Sequence, residues 1–177
     1  MLLDILIENR DEVLTAWQQA IIETYPEESG KFLGRKGNQF ANPVGHTIRD
    51  EAAILYDQLV GDMDQDCILQ SLGSIVRVRA VQQFSPSQAV SFVTLLKPII
   101  RHQVRGKGMD QALYRELVKF EERIDYLMMT AFDLYTTCRE RISEIRVNET
   151  RRAHSKLVER LNARVEQAHQ DKNEERE

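Results

Sequence analysis

The chain has 177 residues, of which 42% are hydrophobic and 29% charged, and its formal net charge is −4. That length suits one domain with a substantial core plus an appended element, and the composition excludes wholesale disorder. The acidic balance excludes general nucleic-acid binding, which needs a basic footprint, and no apolar run reaches the roughly 20 residues of a membrane span.

With 8 glycines and 4 prolines, and apolar residues recurring at intervals of three and four, the chain is predicted to be all-helical. The opening MLLDILIENRDE is acidic early and has no basic region or small-residue cleavage site, so a cytoplasmic protein is expected. A short first helix leads to a second, capped by Asn9 or Asp11, whose inner face carries Val13, Leu14, Trp17, Ala20 and Ile21. Pro26 stops it. EESGKFLGRKGNQFANP, rich in glycine, is expected to be loop with at most one helical turn.

Asn42-Pro43 starts the next helix, with Asn as cap and Pro at the first helical position. Ile48, Ala52, Leu55 and Leu59 give its buried stripe, and Gly61 ends it. Asp64 opens a helix bearing Ile68, Leu72, Ile75 and Val76. In FSPSQ, Ser85 caps, Pro86 is the first helical residue and Gln88 completes a capping box, with Phe84 and Ala89 placed as a staple. Ala89, Val93, Leu96 and Ile100 form the inner stripe. Pro98 falls inside that pattern and forces a kink or break there, because it cannot donate to the Thr94 carbonyl. It is also a candidate hinge.

After RGKG (105–108) the pattern becomes one very long helix or two nearly collinear ones. Leu113, Leu117, Phe120, Ile124, Leu127, Ala131, Leu134 and Cys138 form a 4-3 seam suited to a bundle or coiled coil. Ile142 and Ile145 prolong it after a slip. A thinner stripe of Val147, His154, Val158, Leu161, Val165 and Ala168 follows. This places a helical domain at 1–147 and a charged amphipathic tail at 148–177 that frays at HQDKNEERE.

Chemical motifs are sparse. His46 and Asp50 are one turn apart and read as a helix surface pair, with metal or acid–base use as the alternative. His102 sits in a helix C-terminal turn, where the dipole favours its charge, or could serve as a haem ligand. His154 reads as a seam residue, and Glu166-x-x-His169 is a single copy where a di-metal bundle needs two. GKFLGRKG lacks the G-K-[ST] ending of a phosphate loop. Arg152, Lys156, Arg160 and Arg164 form a basic row offset by Glu149, Glu159 and Glu166. Cys67 and Cys138 lie far apart in sequence and read as buried thiols rather than a disulfide.

Four blocks, ETYPEESGKFL, QFANPVGHTIRDEAAILYDQL, SIVRVRAVQQFSPSQAVSFVTLLKPIIR and AFDLYTTCRERISEIRVNETRR, together resemble the N-terminal domain of RsbRD-type RsbT co-antagonist proteins. The resemblance spans residues 2 to about 152, a single-domain length. It implies a helical sensory or regulatory input module, globin-like without haem, that in the family precedes a phosphorylatable STAS output domain. The residues after 152 are too few for a STAS domain, so the resemblance implies the input module alone, with the tail where a linker would begin. Arg77 and Arg79 lie in its most specific block, as a functional surface or as buried ion-pair partners.

The expectation is therefore an all-α bundle of five to seven helices with a long C-terminal helix. Its expected role is that of a non-enzymatic sensor or regulatory interaction domain without a cofactor, working with a protein partner in a signalling complex. The thin tail stripe predicts a homodimer through Val147, His154, Leu157, Leu161 and Val165. Two rivals are a sensor of haem or another flat ligand using His102 or His46, and an enzyme of unknown type.

Overall fold

The computed structural model describes residues 1–34, 40, 42–82, 84–105 and 110–174, with side chains described as far as residue 164 except that of Phe32. Residues 35–39 within the glycine-rich segment, most of RGKG, and the side chains of Val165, Glu166, Ala168 and His169 fall outside that set.

Among the described residues every regular element is a helix: α1 (Leu2–Glu8), α2 (Arg10–Glu23), α3 (Glu27–Leu33), α4 (Pro43–Val60), α5 (Gln65–Val81), α6 (Pro86–Thr94), α7 (Leu96–Val104) and α8 (Gln111–Glu174). Taking α6 and α7 as the single interrupted helix that the sequence predicts, the bundle falls within the expected number. The interruption is at Leu95, within one turn of Pro98, whose ring nitrogen has no hydrogen for the Thr94 carbonyl.

The helix starts follow their local chemistry. Asn42 Oδ1 accepts from Gly45 N at 2.9 Å, and Asp64 Oδ1 from Cys67 N at 2.7 Å. Ser85 and Gln88 form the reciprocal capping box, with Pro86 at the first helical position. Asp110 does the same service for α8, accepting from Leu113 N at 2.7 Å. Asn9 occupies the cap position of α2, but its side chain donates back to the Ile5 carbonyl instead of capping.

One expected loop is more ordered than its composition suggests. α3 has 7 residues, about two turns rather than one. Its end is tied down from α4: Asn42 Nδ2 donates to the Leu33 carbonyl at 2.9 Å and Arg49 Nη1 donates to the same oxygen at 3.2 Å. Leu33 itself is buried. Tertiary anchoring of this kind outweighs the helix cost of Gly30, about 1 kcal/mol.

The chain divides into two compact units, Met1–Cys138 and Arg139–Glu177. In the first, α4 packs along α5, α2 lies against α4 and α7, and α1 against α7. Trp17, Ile48, Leu55, Tyr56, Leu59, Ile68, Leu72, Phe92, Ile100, Leu113 and Ile124 have no solvent exposure. Burying each of the larger ones stabilises the fold by about 1.5–3 kcal/mol before entropy is counted. Two buried polar tips are bonded to backbone: Trp17 Nε1 donates to the Phe92 carbonyl at 2.7 Å and Tyr56 Oη to the Leu6 carbonyl at 2.9 Å.

Up to Cys138, α8 belongs to this core. Leu113, Leu117, Phe120, Ile124, Leu127 and Ala131 are buried as the seam predicts, but the next buried residue is Tyr135 rather than Leu134. A straight α-helix drifts against a strict seven-residue repeat, which brings position 135 inward after three heptads. In the second unit every side chain described from residue 143 to 164 is exposed. The backbone there stays helical to Glu174, further than the polar composition suggests.

Candidate functional site

α5 carries its buried stripe at Ile68, Leu72, Ile75 and Val76, and continuing that spacing leads to Arg79. Arg79 is a full-length cation with no solvent exposure, which corrects the functional-surface reading and leaves, of the two that the sequence offered, the buried one. The turn geometry of α5 points it into the core with the rest of that stripe. Its Nη2 donates to Thr24 Oγ1, at the end of α2, and to the Gln88 carbonyl, in the first turn of α6, both at 2.9 Å. Arg79 therefore ties three helices together.

Around this cation the polar bonding is incomplete. Arg79 Nε and Nη1 have no hydrogen-bond partner among the described residues, and neither has the buried hydroxyl of Tyr25. No carboxylate is ion-paired with Arg79 among those residues. Aromatic rings sheathe it instead: the guanidinium carbon lies 4.3 Å from the Phe84 ring centre, 5.1 Å from Tyr25 and 5.6 Å from Phe92. Tyr25 and Phe84 meet edge to face with centres 5.1 Å apart.

The magnitudes leave a deficit. Burying an unpaired ion costs several kcal/mol even after relaxation, whereas a desolvated cation–π contact contributes about 2 kcal/mol. A ring also accepts no conventional hydrogen bond from a guanidinium edge. Burial pulls the Arg79 pKa below its ordinary value, with Tyr25 opposing that shift. Burial pushes the Tyr25 hydroxyl up, and the nearby Arg79 charge pulls it down. The two groups thus feel each other electrostatically although no hydrogen bond of acceptable length and angle joins them.

In front of this cluster is a cavity of about 540 Å³ lined by Thr24, Tyr25, Pro26, Ser29, Gln82, Phe84 and Gln88. Thr24, Tyr25, Phe84 and Gln88 also surround the guanidinium, which places Arg79 one layer behind the wall. The wall is linked to α8 as well: Tyr135 Oη donates to the Phe84 carbonyl at 2.6 Å.

The other sequence candidates are dispersed. Arg77 is exposed on α5, its guanidinium lying over Gly73. His46 is on α4, paired through Nδ1 with Asp50 at 2.6 Å as its spacing predicts. His102 is exposed in the last turn of α7, and Pro98 lies in the first turn of that helix. Val147, His154, Leu157 and Leu161 are exposed side chains of the second unit. Cys67 and Cys138 are half-buried free thiols. Among the described residues no three His, Cys, Asp or Glu side chains are grouped to hold a metal, and no helix is long and apolar enough to cross a membrane.

Residues 11–150 match the family model described as the RsbT co-antagonist protein rsbRD N-terminal domain. The chain belongs to this family. It is a family of regulatory domains, and the match covers α2 to α7 and the part of α8 that completes the core. The chain is also 24% identical over 142 residues to an uncharacterized protein of Archaeoglobus fulgidus, a similarity covering 80% of this chain and 84% of that relative. No solved structure matches.

Sequence reading located Arg79 but not its setting. Tyr25 follows α2, whereas Phe84 and Gln88 belong to the FSPSQ start of α6, and nothing in the sequence announces that the two segments meet around Arg79. One signal was available: a charged residue at the next position of a buried stripe marks a side chain that must go inside.

Proposed function

We propose that this chain is a non-enzymatic, cytoplasmic sensor or regulatory interaction domain in stress or other signal transduction. Ligand or partner binding shifts the population between packings of the bundle, and the C-terminal helix carries the difference to a protein partner. The observation that supports this reading is the hydrogen bond from Tyr135 to the Phe84 carbonyl. It makes the wall of the cavity and the final helix a mechanically connected pair, because Phe84 cannot move without breaking or dragging that bond.

The test is amide hydrogen exchange on the full chain and on Phe84→Ala. The substitution is expected to speed exchange in α8 around Ala131–Cys138 as well as at the start of α6. Acceleration confined to α6 would remove the coupling and with it the regulatory mechanism.

The tail takes part as a homodimer contact in this reading. Val147, Leu157, Val158 and Leu161 are each about half exposed, and an isolated helix bearing so thin a stripe is marginal in water. Light scattering should give a dimer for the full chain and a monomer for a chain ending at Val147. A monomer in both cases ends the dimer reading.

A further inference from the structure

The geometry points to a binding site for a small organic carboxylate in the cavity bounded by Thr24, Tyr25, Pro26, Ser29, Phe84 and Gln88, its negative end received by Arg79. The proposal deepens the regulatory reading by naming the class of ligand, and it rests on that reading for its meaning though not for its binding chemistry.

The argument begins with unmet valence. A guanidinium has five N–H hydrogens, and the two on Nη2 are engaged by Thr24 and Gln88. Those on Nε and Nη1 have no acceptor among the described residues, and the Tyr25 hydroxyl beside them is equally unpartnered. Buried polar groups in folded proteins are nearly always satisfied, and a group that is not calls for a missing partner. Here every unsatisfied nitrogen is a donor on a cation. The partner that answers donors and charge together is an anion.

The surroundings narrow the chemistry. None of the residues lining the cavity carries a charge, so the buried cation sets the local potential. Its volume, about 540 Å³, lies within the ordinary range for small-molecule sites. Tyr25, Pro26 and Phe84 give it an apolar flank. Glu28 lines the adjoining cavity, together with Ser29, Leu33, Pro43, Val44 and Gln82, so a second negative group on the ligand would be repelled. This selects a monoanion with a short apolar or aromatic body over a fully hydrated inorganic ion. Charge-assisted bonds from Arg to carboxylate are among the strongest such a site can make.

Arg79 is reached by parting the edge contact between Tyr25 and Phe84. Those two rings form the inner wall, and Phe84 is the residue whose carbonyl Tyr135 holds. Ligand entry and movement at α8 thus converge on one residue.

The test is calorimetric titration of the full chain with benzoate and, at matched ionic strength, with acetate and inorganic phosphate. Benzoate is expected to bind saturably at one site per chain and more tightly than acetate or phosphate. Tyr25→Phe should weaken benzoate about tenfold by deleting one hydrogen bond to a charged group. Arg79→Met should abolish binding. Ser29→Trp, at an exposed lining position, should also abolish it by filling the cavity, and serves if Arg79→Met does not fold. Absence of saturable benzoate binding, preference for phosphate, or benzoate affinity unchanged in Ser29→Trp would each overturn the proposal. These results are independent of the exchange experiment on Phe84→Ala, so loss of the ligand and loss of the coupling are told apart.

Discussion

Removing a single oxygen from Tyr135 tests how α8 is fastened to the rest of the core. In Tyr135→Phe the ring keeps its place, since the side chain is 4% exposed and the change leaves its packing surface intact. What is lost is the 2.6 Å bond from the hydroxyl to the Phe84 carbonyl. A neutral hydrogen bond contributes a net 0.5–1.5 kcal/mol, and an acceptor left buried and unpaired raises the loss to about 3 kcal/mol. Phe84 is half-buried, so water can reach its carbonyl, and the expected loss is about 1 kcal/mol. For a chain of this size that corresponds to a fall in Tm of about 2–4 °C. Urea unfolding followed by circular dichroism measures it, with an unchanged m-value as the sign that the folded state has kept its compactness. Stability within about 0.3 kcal/mol of the parent would show that the bond fastens nothing, and a loss beyond about 3 kcal/mol would show a wider packing role than the geometry supports.

Two further substitutions probe other joints of the fold. Tyr56 has its pKa pushed up to about 12, chiefly by burial, from an ordinary value of 10. A raised folded-state pKa means that its contribution is intact below pH 10 and is lost as pH climbs from 10 to 12, because only the unfolded chain ionises readily there; the loss amounts to about 2–3 kcal/mol. Alkaline unfolding monitored by circular dichroism should show that decline, and Tyr56→Phe should flatten it. At Gly45 a Cβ would stand 2.5 Å from the Leu33 carbonyl and 2.4 Å from the Asn42 side chain. Gly45→Ala should therefore cost more than about 1 kcal/mol, against the usual gain for such a change in a helix, as a lowered urea midpoint.

Much of the fold was legible in residues that act locally. Caps at Asn42, Asp64 and Ser85 set helix starts through bonds to amides three residues on, and such chemistry needs no knowledge of the rest of the chain. Pro98 announced its interruption for the same reason. The 4-3 seam of α8 held for six residues and then failed at Leu134, where accumulated helical drift decided between neighbours. α3 was underestimated because its stability comes from Asn42 and Arg49, residues that reach Leu33 only once α4 is in place. The candidate site was the least legible part. Arg79 stood out in the family-specific block, yet the three rings and the cavity exist only after α2, α5 and α6 converge.

The chain has a single tryptophan. Trp17 is wholly enclosed, and its indole nitrogen donates to the carbonyl of Phe92, whose ring is one of those facing Arg79. The molecule consequently carries its own optical gauge, an intrinsic fluorophore whose emission maximum and lifetime respond to the polarity and hydrogen bonding of this one neighbourhood. Any compound that rearranges the cation's shell can be followed by light alone, in unlabelled protein, at micromolar concentration.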